Sequence, residues 1–375
     1  MPLRAVARVN VGAVERNCTV LVRAAAPAAL CAVVKADGYG HGAVPAARAA
    51  LAGGATWLAV ATAAEASALR AGGLEAPLLV LGALSPEELG VALAARADVV
   101  AWREEFVAAL AAHGQRDPSA RTGVHVKLDT GMGRLGTRDP AEAARVAAAV
   151  AAAPALRLAG AMTHFATSDD DPAFAREQLA RFLRWAERIR AEHGDVLLHA
   201  ANSAAALGIP EARLDLVRCG IAVYGLDPFH EDPGRHGLEP ALELRSYLAE
   251  VKPCAPGESA GYGRRFVARE PTWLGTVPVG YADGVRRALT NDCDVLVGGR
   301  RVPLVGTVSM DNVTVDLGPD PPPRGGDVVL LGRQGEQRVL AEEWARRLGT
   351  INYEIVCGIG PRVPRAYHRD GEPAA

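Results

Sequence analysis

The side chains best suited to proton transfer, imine formation and anion binding lie in a few short segments of this chain. They are Lys35, Lys127, Arg134, His164, Ser203 and Arg218. A lysine amine can form an imine with an aldehyde and a histidine can carry a proton, whereas arginine and serine suit an anion. Each segment follows a short apolar run, so what these residues do together depends on how those runs are arranged.

The apolar runs predict eight β-strands within the first 225 residues. The strands are Leu30–Val34, Trp57–Ala61, Leu78–Leu81, Asp98–Trp102, Val124–Leu128, Leu158–Thr163, Leu197–Ala200 and Leu214–Val217. Alanine-rich helical stretches separate most of them, such as Ala173–His193, which Asp171-Pro172 precedes and Gly194 follows as start and stop signals. Alternating strands and helices predict parallel strands with right-handed crossovers. Eight such units fit a closed (β/α)8 TIM barrel better than an open doubly wound sheet.

The pattern changes after about residue 236, where helical periodicity nearly disappears. The run Leu242–Leu248 alternates in polarity as a half-buried strand does, and further valine-rich runs follow between glycine- and proline-rich turns. One helix is predicted near Leu340–Leu348, and the tail after His368 is expected to be loose. We therefore predict a barrel over residues 1–235 and a mostly β C-terminal domain over residues 236–375, with the boundary in Phe229–Gly237.

Composition excludes several classes of protein. The 375 residues are 49% hydrophobic and 22% charged, with a formal net charge of −2, which argues against a dedicated nucleic-acid binder. The longest apolar run, Val146–Leu156, is too short to span a membrane, and Met1–Asn10 has no apolar core of a secretory signal. None of the six cysteines forms a CxxC pair and the nine histidines show no metal-binding spacing. We expect reduced thiols, a cytoplasmic protein and no metal site.

In barrel enzymes the active site lies at the C-terminal ends of the strands, where all of these segments would meet. Barrels often bind phosphate with the loops after strands seven and eight, which here carry Ser203 and Gly220-Ile221. A phosphate on one side of the rim and Lys35 on the other indicate an aldehyde cofactor with a phosphate group, held as a Schiff base. Pyridoxal 5'-phosphate meets this description.

One motif on this rim could be misinterpreted. Residues 131–136, Gly-Met-Gly-Arg-Leu-Gly, match the GxGxxG dinucleotide fingerprint. That fingerprint requires a helix that opens within the motif and an acidic residue about 20 positions later. Here Thr137–Pro140 delays the helix and residues 148–156 contain no acid, so a dinucleotide site is not expected.

Longer motifs make the chain resemble bacterial alanine racemase, a pyridoxal-phosphate enzyme family of fold type III, over nearly its whole length. Residues 32–42, AVVKADGYGHG, look like the cofactor attachment signature of that family. Other matching motifs follow in family order: KLDTGMGRLG (127–136), ANS (201–203), RCGI (218–221), GYG (261–263), GYADG (280–284), SMD (309–311) and YEI (353–355). The family fold, a barrel followed by a β-rich domain, agrees with the periodicity.

The resemblance implies a role for each matching residue. Lys35 and Tyr262 would be the two proton-transfer bases on opposite faces of the substrate, and Lys35 would also hold the cofactor. The other implied roles concern the cofactor, the substrate and their surroundings: Arg218 at the pyridine nitrogen; Tyr39, Ser203, Gly220, Ile221 and Tyr353 at the phosphate; Arg134 and Met310 at the substrate; Lys127, carbamylated and paired with Arg134; His164, which would orient Tyr262, with His199 behind it; Asp311 nearby; and Tyr281 at the entrance. Arginine keeps its proton near neutrality, so the pyridine nitrogen should stay unprotonated, which we expect to limit side reactions such as transamination.

The resemblance implies an isomerase that interconverts L- and D-alanine and supplies D-alanine for peptidoglycan. It also implies a head-to-tail homodimer with shared active sites.

Ser309 and Thr307 depart from the commonest family pattern, so a racemase of serine or of several small amino acids is the alternative. A decarboxylase would need a carboxylate where Arg218 stands, and a non-enzymatic cofactor carrier would lack the second domain.

Overall fold

The structure is a computed structural model that describes residues 4–114 and 121–374. The chain forms two compact units. One is Val14–Val223, and the other combines the chain up to Ala13 with the chain from Tyr224 onward. The N-terminal segment thus belongs to the same unit as the C-terminal part of the chain.

The first unit contains the predicted barrel of eight parallel strands. The strands are Ala29–Val33, Trp57–Val60, Leu78–Val80, Asp98–Ala101, Thr122–Lys127, Leu156–Met162, Leu197–His199 and Leu216–Cys219. The first seven pair in chain order, and the first strand also pairs with the eighth, so that Cys31 lies opposite both Trp57 and Arg218. Two backbone hydrogen bonds link the seventh and eighth strands, from Asp215 N to Leu198 O (3.1 Å) and from Arg218 N to Ala201 O (2.9 Å). The prediction of a (β/α)8 barrel is therefore confirmed.

Helices separate the strands, as the alternation predicts. They are Val11–Ala25, Ala43–Ala52, Ala63–Ala71, Pro86–Ala94, Glu104–Gly114, Pro140–Ala152, Pro172–His193 and Ser203–Gly208. The helix Pro172–His193 begins and ends at the predicted signals: Asp171 accepts a hydrogen bond from Phe174 N (3.0 Å), and Gly194 has a φ of +82°. Leu179 and Phe182 on the predicted apolar face are buried. A side-chain cap and a glycine with positive φ are local devices, which explains why sequence alone located both ends.

The second unit is mostly β, as predicted. An eleven-stranded sheet comprises Val6–Asn10, Leu242–Tyr247, Glu250–Cys254, Thr272–Val277, Asp294–Val297, Arg300–Val305, Val313–Gly318, Asp327–Gln334, Gln337–Val339, Arg365–Arg369 and Glu372–Pro373. A two-stranded ribbon joins Ser259–Ala260 to Phe266–Val267. The α-helices of the C-terminal part of this unit are Ala341–Leu348, which ends at Gly349 close to its predicted position, and Asn352–Cys357.

The expectation of a loose C-terminal tail is wrong. Arg365–Arg369 pairs in parallel with Val6–Asn10, and His368 lies opposite Pro373 in the last hairpin. Asn10 Nδ2 also donates a hydrogen bond to Asp370 Oδ1 (3.0 Å). These contacts join residues about 360 positions apart, and no local sequence pattern reports such a pairing.

No helix in residues 4–114 and 121–374 is long and apolar enough to cross a membrane. The same residues contain no cluster of three or more His, Cys, Asp or Glu side chains that could hold a metal ion. All six cysteines are free thiols, and all but Cys357 are buried.

Candidate active site

Lys35 follows the first barrel strand and opens a left-handed turn. Ala36, Asp37, Gly38 and Tyr39 all have φ between +51° and +62°. Non-glycine residues adopt this conformation at a cost of roughly 1–2 kcal/mol each. The turn is held by hydrogen bonds from Gly38 N to Val34 O (2.9 Å) and from Ala36 N to the Glu65 carboxylate (2.7 Å). Strain of this kind persists where the surroundings enforce it, and it concentrates at functional sites.

The turn brings Tyr39 against the loops that follow the seventh and eighth strands. Tyr39 is buried, and a Cβ atom added to Gly220 would lie 2.3 Å from its hydroxyl oxygen. Ser203 Oγ accepts hydrogen bonds from Gly220 N (3.0 Å) and Ala222 N (3.4 Å). Ile221 lies between these amides and is fully buried. The structure thus gathers four of the five residues that the resemblance assigns to a phosphate, and the close approach of Tyr39 leaves room only for glycine at position 220.

Arg218 lies in the eighth strand with 4% of its surface exposed. Its Nη2 donates to the carbonyl oxygens of Thr163 (2.8 Å) and Ala200 (3.0 Å) and lies 3.3 Å from Nδ1 of His164, while Nη1 lies 2.9 Å from Nδ1 of His199. Within the described part of the chain, no protein acceptor is found for Nε. Burial lowers the pKa of Arg218 to about 10, so the guanidinium stays protonated near neutral pH and offers Nε–H to a bound group.

Lys127 lies inside the same rim with 4% of its surface exposed. Burial and, after it, the positive charges of Arg218, Arg134 and Lys35 together lower its pKa to about 8, with Asp129 opposing them. The site therefore concentrates four cationic side chains, Lys35, Lys127, Arg134 and Arg218. The chain has only three lysines, Lys35, Lys127 and Lys252, and two of them are here.

Both histidines beside Arg218 are held neutral. Burial lowers the pKa of His164 well below its usual value, and the nearby charge of Arg218 acts in the same direction. The same two causes lower the pKa of His199. Neutral imidazoles can accept the hydrogen bonds that Arg218 offers, whereas imidazolium rings could not.

The remaining predicted residues lie in the second unit, and several of them are exposed. Tyr262 is 74% exposed and Met310 51%, and Tyr281 also projects from the surface. Tyr262 lies beside a cleft of about 360 Å³ with Thr307 and Ser309. Thr307 Oγ1 donates to the main-chain oxygen of Tyr262 (2.6 Å) and fixes the backbone there.

Asp311 and Tyr353 complete the predicted set. Arg362 Nη2 donates to Asp311 Oδ1 (2.7 Å), and Arg4 also lies within ion-pair distance of that carboxylate. Asp311 therefore belongs to a surface charge network of the second unit. The ring of Tyr353 lies 6.4 Å from the ring of His230.

Sequence reasoning missed two residues behind Arg218, the fully buried His125 and the partly exposed Asp98. His125 Nδ1 lies 2.8 Å from His199 Nε2, and its Nε2 lies 3.3 Å from Asp98 Oδ2. The signal in the sequence is a histidine in the middle of an otherwise apolar strand, Thr122–Lys127. That signal does not tell which partner the histidine meets.

Comparisons with known proteins bear on both units. The family model described as the N-terminal domain of alanine racemase matches residues 9–228, and the model of the C-terminal domain matches residues 241–367. The chain belongs to the alanine racemase family. A relative named alanine racemase from Frankia casuarinae is 44% identical over 375 residues, which cover 97% of this chain and 96% of the relative.

Solved structures of the alanine racemase family agree with this assignment. The alanine racemase of Streptomyces coelicolor superposes with a TM-score of 0.92 at 39% identity, over 97% of each chain. The alanine racemase of Bacillus anthracis, solved with bound L-Ala-P, gives a TM-score of 0.90 at 37% identity over 100% of this chain and 97% of the other. The predicted family and fold are therefore confirmed across both units.

The residues of the barrel rim fit the cofactor predicted from sequence. Ser203, which begins the helix Ser203–Gly208, lies within hydrogen-bond distance of the backbone amides of Gly220 and Ala222, and such a group of hydroxyl and amide donors suits a phosphate ester. The Nε–H group of Arg218 can donate to an unprotonated ring nitrogen, since arginine offers five N–H donors and only its Nη atoms have acceptors among the described residues. Pyridoxal phosphate carries both groups.

Proposed function

We propose that this chain is a pyridoxal-phosphate-dependent racemase that interconverts L-alanine and D-alanine. Family membership over both units gives the reaction class. The observation that carries the proposal is the barrel rim, where Lys35 shares its surroundings with the buried cations Lys127 and Arg218, and where Arg218 Nε–H has no acceptor among the described residues. When bound, the cofactor supplies an electron-withdrawing ring that makes the α-proton of an amino acid acidic enough to remove.

Each part of the cofactor has a proposed partner in the chain. Lys35 Nζ holds it covalently, and Arg218 Nε–H donates to the ring nitrogen. The phosphate is held by a set of backbone amides and hydroxyls: Tyr39, Ser203, Gly220, Ile221 and, by resemblance, Tyr353. Arg218 remains protonated and can only donate a hydrogen bond, so the ring nitrogen stays unprotonated. An unprotonated ring withdraws less negative charge from the α-carbon of the substrate, which limits side reactions such as transamination.

Racemisation requires two bases, because the proton leaves one face of the α-carbon and returns on the other. We assign these roles to Lys35 Nζ and Tyr262 Oη, with His164 as the residue that orients Tyr262. Arg134 and the backbone N–H of Met310 bind the substrate carboxylate, with Asp311 nearby, and Tyr281 lines the entrance. His199 supports Arg218 from behind, and a carbamate on Lys127 orients Arg134.

We further propose that the working enzyme is a head-to-tail homodimer in which Tyr262 and Met310 complete the partner's site. Their exposure supports this, since large apolar side chains grouped on a surface mark contact sites. The free cysteines favour a reducing compartment, which supports a cytoplasmic enzyme that supplies D-alanine for peptidoglycan.

The deciding experiment incubates the purified protein and the cofactor with L-alanine or L-serine and separates the products by chiral chromatography. We expect alanine to reach a racemic mixture much faster than serine. The variant K35A should lose activity and the covalent cofactor, whereas K252R, which changes the exposed third lysine, should keep both. Absence of D-alanine while the cofactor remains bound at Lys35 would overturn the proposed reaction.

A further inference from the structure

A continuous series of hydrogen-bonded side chains, Arg218–His199–His125–Asp98, runs through the barrel behind the guanidinium of Arg218, and we call it the file. Arg218 Nη1 lies 2.9 Å from His199 Nδ1, His199 Nε2 lies 2.8 Å from His125 Nδ1, and His125 Nε2 lies 3.3 Å from Asp98 Oδ2. The two imidazole rings are fully buried and meet edge to face, with centroids 4.9 Å apart. Four polar side chains in one unbroken line are unusual in a packed interior, because each buried polar atom must find a partner.

The file crosses the inside of the barrel from one end to the other. Asp98 is the first residue of its strand and His125 is in the middle of the next strand, whereas His199 ends the seventh strand and Arg218 is near the end of the eighth. The strand Leu156–Met162 separates the strands of the two histidines, so their side chains meet across the barrel interior. The file therefore joins the active-site rim to the opposite mouth.

Two glycines make room for the file. A Cβ atom added to Gly160 would lie 2.2 Å from His125 Nδ1, and one added to Gly123 would lie 2.1 Å from Asp98 Oδ2. Neither distance is possible between real atoms, so any side chain at these positions would displace the histidine or the carboxylate. Glycine at these two positions thus leaves the space that the side chains of His125 and Asp98 occupy.

The two end residues of the file, one a donor and the other an acceptor, fix the direction in which its hydrogen bonds are donated. Arginine can only donate hydrogen bonds and an ionised aspartate can only accept them. Because Arg218 donates to His199 Nδ1, that ring carries its proton on Nε2 and donates to His125 Nδ1. His125 then carries its proton on Nε2 and donates to Asp98. Reversing either ring would place two donors face to face.

We propose that Asp98 and His125 are positioning residues that fix the tautomer of His199 and thereby hold the Arg218 guanidinium in its orientation. This inference rests on the proposed function, in which Arg218 faces the cofactor ring. Asp98 acts at a distance and touches neither cofactor nor substrate. Without an acceptor at its end, the file can reverse, and His199 then presents Nδ1–H to Arg218 and repels it.

The test uses the full-length chain labelled with 15N-histidine, without added cofactor. Imidazole 15N spectra distinguish a ring protonated on Nε2 from one protonated on Nδ1, and the variants H125Q and H199Q assign the two signals among the nine histidines. In the wild-type chain both rings should carry the proton on Nε2. D98A should give mixed tautomers for both rings. D98N should keep the wild-type pattern, because its amide oxygen still accepts from His125.

R157A is the matched control. Arg157 Nη2 lies 3.4 Å from Asp98 Oδ2 on the exposed side, outside the file. Its removal takes away a charge next to Asp98 but leaves the acceptor for His125, so both the tautomers and the activity should be unchanged. G160A should behave as D98A does, because its methyl group displaces His125.

Kinetics of the holoenzyme provide a second readout. D98A should lower kcat roughly tenfold, the scale of a small misplacement of a catalytic group, and leave KM for alanine nearly unchanged, whereas D98N should retain most of kcat. A folded D98A protein with wild-type tautomers would overturn the inference. If D98A does not fold, a D98N protein protonated on His125 Nδ1 would overturn it equally. If the wild-type chain shows the expected tautomers but no racemase activity, only the proposed function fails.

Discussion

At the scale of single residues, the site brings four positively charged side chains close together, whereas like charges on an ordinary protein surface lie apart. Lys127 is buried beside two arginines and a second lysine, and its pKa falls to about 8 as a result. A neutral amine attacks carbon dioxide to form a carbamate with release of a proton, and the product is an anion. Conversion of Lys127 from cation to anion would relieve the repulsion and give Arg134 a partner for a strong charge-assisted bond.

We therefore predict that Lys127 becomes carbamylated. The neutral fraction of an amine with a pKa of about 8 rises as pH increases from 7 to 9, so carbamate should increase over this range. The measurement is 13C NMR after equilibration with 13C-bicarbonate, which should show one carbamate signal. The signal should disappear in K127A and persist in K252R; its persistence in K127A would contradict the prediction.

A second prediction at this scale concerns Thr307, whose hydroxyl holds the backbone of Tyr262 (2.6 Å). T307V keeps the shape and removes the donor, at a cost of about 1 kcal/mol for a typical hydrogen bond. We expect kcat to fall severalfold, because Tyr262 loses its fixed position, while T307S retains activity. Steady-state kinetics with L-alanine measure this, and equal kcat values for the two variants would exclude the hydrogen bond as the reason for a hydroxyl here.

At the scale of elements, the candidate site residues of the barrel lie at the C-terminal ends of the strands or in the segments that follow them. The turn after Lys35 shows how much order this requires. It is left-handed over four consecutive residues, and helices of that hand are unfavourable for L-amino acids. Its surroundings must therefore stabilise it, and they do so through Glu65 of the helix Ala63–Ala71 and through the packing of Tyr39 against Gly220.

Two glycine-to-alanine changes should have opposite effects on stability, because only Gly38 has a positive φ. Gly38 has a φ of +62°, and its added Cβ would lie 3.3 Å from the Ala43 backbone, so G38A should destabilise the protein by roughly 1–2 kcal/mol. Gly90 lies in the helix Pro86–Ala94 with open space around it, so G90A should stabilise by about 0.5–1 kcal/mol. Thermal melting of both variants measures the difference. A rise of the midpoint in G38A would mean that the turn is not under strain.

At the scale of the whole molecule, the chemistry is distributed over two units of one chain. Most of the residues proposed to hold the cofactor lie in the barrel, whereas Tyr353 belongs to the β-rich unit, on which Tyr262 and Met310 are exposed. In the proposed dimer a second copy of the chain completes each site with its Tyr262 and Met310, and closed dimers are the commonest assemblies of soluble chains.

The shared site predicts complementation between two inactive variants. K35A and Y262F should each be inactive alone, yet a heterodimer of the two contains one site with both wild-type residues. Random pairing after co-expression in equal amounts should therefore restore about a quarter of the wild-type sites. Activity of the co-purified mixture measures this. No activity above that of the separate variants would show that each site uses residues of one chain alone.

Much of this protein could be predicted from its sequence because the relevant signals are local. Strand positions and the ends of the helix Pro172–His193 follow from periodicity, capping and glycine, which act within a few residues. The same local reasoning rejected the GxGxxG motif, and the next helix indeed begins only at Pro140, beyond the motif. Family motifs added the proposed site residues, since those motifs are short and continuous.

Tertiary structure decided what depends on residues far apart in the chain. It placed Val6–Asn10 beside Arg365–Arg369, and it aligned Asp98 and His125 behind His199 and Arg218 inside the barrel. A polar residue in an apolar strand shows in the sequence, but its partner does not, because alternation marks the face on which a side chain lies and carries no information about which distant side chain shares it. Only the closing of the barrel brings those atoms within hydrogen-bond distance.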